Sequence, residues 1–190
     1  MVQTVDALVE ATGRDTARRV LDCVGRGDLL TRRPEAMVDE REFTALIGAL
    51  RRELGPDLSA SILARAGERT GLYLLANRIP GPARVLLPHL PRRFALQILL
   101  KAIAAHAWTF AGSGRFTWTP TSTGATLRLA DGPEARGHVA PAPCCAYYRN
   151  CFATLLRSLV DRRIVVSEIE CMARGAAACV FAVAWTQRES

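Results

Sequence analysis

The closing third of the chain places the tightest constraint on how it can fold. Cys145, Glu168, Cys171 and Cys179 follow one another with 22, 2 and 7 residues between them. A helix over 145–160 runs ~24 Å at 1.5 Å per residue. The strand Ile164–Glu170 returns ~23 Å at 3.3 Å per residue. A short turn over 161–163 joins the two, so the helix start comes to lie beside the strand end. Cys179 then opens the partner strand CVFAVAW after the loop MARGAAA. All four side chains can therefore converge at one end of the unit. Parity opposes this, because Glu168 and Cys171 would point to opposite faces of a regular strand. The strand must end or bulge near Ile169.

Three thiolates and a carboxylate suit a tetrahedral zinc with no open position, the donor set of a structural site. Cys145 falls in the first helical turn, where the helix dipole favours the thiolate that a metal requires. The plain alternative is that these cysteines are small buried hydrophobes. Cys144 could stand in for Cys145, while Cys151 and Cys23 read as packing residues.

Upstream, the pattern is helical. Residues 1–35 read as a helical appendage, with DTARRVLDCV following a cap at Asp15. Residues 36–190 read as the main domain. DEREFTALIGALRREL has helical spacing at Phe43, Leu46, Ile47 and Leu50 and stops at Gly55–Pro56. A second helix covers 59–76. The linker over 77–91 is too proline-rich to be one. A third helix covers 92–108, with its apolar stripe at Leu96, Leu99, Ile103, His106 and Phe110. GRFTWTP and GATLRLA then alternate as strands, and residues 131–143 form a loop before the cysteine-rich helix. Helices first, then strands with one helix between them, predict an α+β domain with an antiparallel β-sheet.

The net charge is +7, and Lys101 is the only lysine. The arginines are scattered in pairs and form no basic-aromatic stripe, which argues against nucleic acid as a partner. The most apolar stretch, Phe94–Gly112, is interrupted by Gln97, Lys101 and His106, unlike the ~20 apolar residues of a membrane span. The N-terminus carries charge where a secretory signal has its apolar core. The expected location is cytoplasmic, where cysteines stay free or metal-bound.

The spacing of Cys145, Glu168, Cys171 and Cys179 resembles the C-terminal signature of the 4-vinyl reductase domain family. That family also supplies sensory domains of aromatic-responsive transcription activators, in which the matching residues hold zinc. Gly175 fits its loop. TGLYLLANRIP (Thr70–Pro80) and AIAAHAWTFAGSGRF (Ala102–Phe116) look like the bacteriochlorophyll-biosynthesis branch of the family, and the likeness runs from about Met37 to Trp185. The resemblance implies a fold similar to trafficking-complex subunits and haem-based nitric oxide sensors: an antiparallel sheet packed with helices around an apolar pocket, often as a homodimer. It also implies a role at the divinyl stage of magnesium-tetrapyrrole synthesis, traditionally labelled 8-vinyl reductase. The implied partners are pathway enzymes such as magnesium chelatase or the methyltransferase, at the periphery of the photosynthetic membrane.

Reducing a vinyl group requires a nicotinamide, a flavin or an iron–sulfur cluster. No G-x-G-x-x-G opens a helix after a strand, so no NAD(P) or flavin motif is legible, and AGSGRF (Ala111–Phe116) leads into a strand instead. The cysteines lack cluster spacing. The favoured reading is an accessory protein that binds a magnesium-porphyrin intermediate and delivers it between enzymes. The alternative is an 8-vinyl reductase using an external reductant, and a ligand sensor is a third. Trp108, Phe110, Phe116 and Trp118 could wall a flat macrocycle, with arginines meeting its carboxylates. His106 is either an axial ligand to the central magnesium or a core histidine.

Overall fold

The computed structural model describes residues 1–34 and 37–185. Helix α1 (Val2–Asp22) is broken at Gly13, and α2 (Glu40–Asn77) starts where the Asp39 carboxylate accepts the Arg41 N–H at 2.8 Å. Gly55 (φ +77°) interrupts α2 just before Pro56, a backbone conformation that glycine adopts without a Cβ penalty. The expected stop is therefore a kink, and the helix resumes at once instead of passing through a loop.

The proline-rich linker does contain a helix, α3 (Gly81–Leu86), followed by a 3₁₀ turn over Leu87–His89. Proline costs little in the first turn, where its missing N–H would have no intrahelical partner. Helix α4 (Arg92–Ala105) is shorter than expected and α5 (Trp108–Ala111) is separate from it, so His106 terminates α4 and does not extend its apolar stripe.

Strands β1 (Arg115–Thr121) and β2 (Gly124–Ala130) form a hairpin. Helix α6 (Ala146–Leu159) precedes β3 (Ile164–Glu170) and β4 (Cys179–Trp185). All pairs are antiparallel in the order β1-β2-β4-β3, which gives the expected α+β architecture.

Two cores hold the chain together. In one, Tyr148, Phe152, Leu156 and Leu159 of α6 pack on the sheet residues Phe116, Leu127, Phe181 and Val183, with Leu96, Leu99 and Leu100 of α4 alongside. In the other, Leu8, Val20 and Leu21 of α1 pack on Leu46, Ile47, Leu50, Ile62 and Leu63 of α2. Helices α2 and α6 meet through Gly67 and Gly71. A Cβ at Gly67 would strike the Tyr147 carbonyl, and one at Gly71 would lie 2.7 Å from Thr154 Cβ. This close approach fixes where α6 begins, and so where the cysteines sit. Among the described residues, no helix is long and apolar enough to cross a membrane.

Candidate metal centre

The inward row of β4 is Val183, Phe181 and Cys179, which places Cys179 at the edge of the core beneath the start of α6. On β3, Ile164 and Val166 face the same core, and Val165 and Ile169 are exposed. The register shifts between Glu168, opposite Phe181, and Glu170, opposite Val180. Ile169 is the extra residue, and the bulge returns Cys171 to the inner face, as parity requires. After Cys171 a 3₁₀ turn over Met172–Arg174 reverses the chain. It ends at Gly175 in the left-handed conformation (φ +91°) and leads back into β4.

Cys145 is the residue that caps α6, one position before its first turn, where the orphan N–H groups and the positive end of the dipole lie. Its own N–H donates to Glu168 Oε2 at 2.7 Å. One ligand atom from each of Cys145, Glu168, Cys171 and Cys179 lies within 4.8 Å of all the others. The Cys145–Cys171 and Cys179–Cys171 sulfurs are each 3.9 Å apart, and Cys145–Cys179 is 3.2 Å. With Zn–S bonds of roughly 2.3 Å, tetrahedral sulfurs stand about 3.8 Å apart. Two edges match, and the third is somewhat contracted. Glu168 Oε1 is buried with no hydrogen-bond partner, an orphan acceptor that a cation would satisfy. The donor set and its geometry fit a closed metal site.

The electrostatics agree. The hydrogen bond from Cys145, reinforced by those from the Cys144 and Ala173 backbone, lowers Cys171 to about 4. Hydrogen bonding among Cys144, Cys171 and Cys179 pushes Cys145 the opposite way. These opposed shifts describe one shared charge, with the thiolate resting on Cys171. Burial raises Glu168 to about 7. A divalent cation would relieve the desolvation of both carboxylate and thiols.

Cys144 lies beside this set and is not among its four members. Its sulfur is 3.8 Å from that of Cys171, and Arg51 Nη2 donates to its carbonyl at 3.2 Å. Cys151 is buried, but Cys23, expected to pack, is exposed at the end of α1. Sequence reasoning missed Glu134. It is fully buried in the loop before α6 and accepts the N–H groups of Tyr147 and Tyr148 at 2.9 and 3.1 Å. It thereby caps the helix that carries Cys145. Burial is the main cause that raises Glu134 to about 8. Arg51 Nη1 donates to its carbonyl at 2.8 Å, tying the loop to α2. The only clue in the sequence is that PCCAYY begins a helix without a Ser, Thr, Asp or Asn to cap it.

The aromatic set is divided. Phe110 and Phe116 meet edge to face at 5.6 Å and join Phe152 in the core, and Trp118 is half-buried against it. His106 and Trp108 are exposed, and His106 Nδ1 lies 2.9 Å from the Ala102 carbonyl.

A family model of the 4-vinyl reductase domain matches residues 126–184, the span that contains Glu168, Cys171 and Cys179 and follows Cys145 within the same unit. The chain is 35% identical over 182 residues to the bacteriochlorophyll synthase 23 kDa chain of Cereibacter sphaeroides, covering 95% of this chain and 86% of the relative. It is similar in fold to the phenol-responsive sensory domain of the transcription activator PoxR with phenol (TM-score 0.60, 17% identity, 81% of this chain and 78% of that one). It is also similar in fold to an H-NOX structure described as probing the function of heme distortion (TM-score 0.57, 14% identity, 97% and 92%). The chain belongs to the family of the bacteriochlorophyll synthase 23 kDa chain and carries the 4-vinyl reductase domain, as the spacing of Cys145, Glu168, Cys171 and Cys179 predicts.

Proposed function

We propose that this protein binds a magnesium-tetrapyrrole intermediate of bacteriochlorophyll synthesis and delivers it between enzymes of that pathway. The 35% identity to a bacteriochlorophyll synthase chain across 95% of its length is the observation that carries this reading. The shared fold with a structure studied for heme distortion supports a flat macrocycle as the ligand. Phe110 and Phe116 back the site from the core, and Trp108 and Trp118 flank it. His106 holds the Ala102 carbonyl through Nδ1, which leaves Nε2 to reach the magnesium. The ligand-binding unit is residues 36–190, with residues 1–35 appended, and it works as a homodimer at the periphery of the photosynthetic membrane. Magnesium chelatase and the methyltransferase are the enzymes it would serve.

A structural zinc on Cys145, Glu168, Cys171 and Cys179 clamps the closing hairpin to α6. Four protein donors leave no position for substrate, so this metal stabilises the fold and takes no part in chemistry. Titration with magnesium protoporphyrin tests the binding. A saturable, stoichiometric shift of the pigment spectrum with quenching of tryptophan emission is expected. A spectrum identical to that of free pigment at saturating protein would overturn it.

A further inference from the structure

The helices between Gly81 and Ala111 present an apolar face that leaves large side chains in solvent. Val85 and Leu86 on α3 are 69% and 60% exposed, Phe94 and Ile98 on α4 63% and 48%, and Trp108 on α5 62%. Phe94, Ile98 and Ala105 follow at i, i+4 and i+11, a single line along α4, with Lys101 beside them at i+7. The buried row of the same helix is Leu96, Leu99 and Leu100. Scattered exposed hydrophobics need no explanation, but large ones gathered on consecutive short helices mark an interaction surface.

The charge of this region is one-sided. From Arg69 to Ala130 the chain contains no Asp or Glu, whereas Arg69, Arg78, Arg84, Arg92, Arg93, Lys101, Arg115 and Arg128 are all cationic. Arg84 donates to the Leu75 carbonyl at 3.1 Å and Arg93 to the Ser122 carbonyl at 2.9 Å, contacts that hold the guanidinium groups without neutralising them. A second copy of this chain fits the face poorly, since a two-fold contact would set these cations against themselves. Nucleic acid would leave the apolar residues unused. Exposed Phe, Ile, Leu and Trp among Arg and Lys, with no carboxylate to repel phosphate, match a helical face lying in the headgroup layer of an anionic bilayer.

We propose that the α3–α4–α5 face docks this protein on an anionic membrane surface. Phe94, Ile98, Val85 and Leu86 enter the interfacial layer, and Arg84, Arg93 and Lys101 meet lipid phosphates. This rests on the peripheral location proposed above and gives it a surface and a lipid class. The test reads docking with no pigment present, so its failure leaves tetrapyrrole binding standing.

The full chain is sedimented with phosphatidylcholine vesicles, with and without phosphatidylglycerol, at low and high salt. Binding to the phosphatidylglycerol vesicles alone is expected, falling as salt rises. Phe94→Ser/Ile98→Ser should weaken it at least about tenfold. Arg93→Gln and Lys101→Gln should each weaken it about fivefold. Val165→Ser, an exposed apolar position on β3, should leave it unchanged. Three results would overturn the proposal. In the first, anionic vesicles fail to retain the wild type at all. In the second, Phe94→Ser/Ile98→Ser melts like the wild type and binds equally well. In the third, the same variant converts a dimer to a monomer, which assigns the face to self-association.

Discussion

Cys145 and Glu168 are locked together, the Cys145 N–H donating to one carboxylate oxygen at 2.7 Å while the other is buried without a partner. The contact joins the start of α6 to the bulge of β3. It orients Glu168 so that its free oxygen is left for a cation shared with the three sulfurs. The hydrogen bond and the metal ligand thus come from the same carboxylate, and the site depends on both ends of the α6–β3 unit being in place.

Replacing a sulfur donor should therefore cost stability and metal together. Cys171→Ser or Cys179→Ser is expected to lose bound zinc and about 3 kcal/mol of stability, a fall of ~6–12 °C in Tm for a chain of this size. Elemental analysis beside thermal melting, with and without chelator, checks it. Wild-type protein that binds no stoichiometric metal and melts independently of chelator would count against a zinc clamp.

The contact between α2 and α6 predicts opposite effects at two glycines. Gly67→Ala brings a Cβ against the backbone carbonyl of Tyr147, which cannot swing aside, and should destabilise by about 1–3 kcal/mol. Gly48→Ala, on the exposed side of the same helix with nothing within 4 Å, should stabilise by up to about 1 kcal/mol. Denaturant melts of both variants decide the matter.

Glu134 makes stability depend on pH. Its folded pKa of about 8 lies above the ordinary value of 4.5, so the native state holds the proton more tightly than the unfolded chain. The unfolded state releases its proton first, and stability falls as pH rises from about 4.5 to 8. Arg51 opposes the shift and Glu168 reinforces it. Glu134→Gln removes the titration. Relative to this variant, the wild type should lose Tm across that window, and parallel profiles would contradict the assignment.

Much of this is legible in the sequence because local chemistry decides it. The parity conflict between Glu168 and Cys171 forces a bulge near Ile169, and the register shift is there. The four strands follow from alternation with little error at their ends. What is not legible depends on distant partners. Glu134 sits in a polar loop, and only the path of that loop beneath α6 turns it into a helix cap. His106 continues an unbroken apolar period, yet α4 stops at Ala105 and the histidine emerges into solvent. The helical pattern puts Cys145 in the first turn, one residue too far, since PCCAYY carries no cap residue to mark the boundary.

His106→Ala separates a ligand from a bystander. Loss of axial coordination should move the bound pigment's absorption maximum and weaken binding roughly tenfold, about the worth of one good polar contact. An unchanged spectrum on fully bound pigment would remove His106 from the site and leave the aromatic residues to hold the macrocycle.

The central claim, that this protein carries its pigment without altering it, meets its most direct test in one incubation. Purified protein is mixed anaerobically with a divinyl magnesium-tetrapyrrole and a supplied reductant, and the absorption spectrum and pigment mass are followed together. A carrier shifts the spectrum and leaves the mass unchanged, which is the predicted result. A protein-dependent gain of two hydrogens would contradict it and identify an 8-vinyl reductase that takes its electrons from outside.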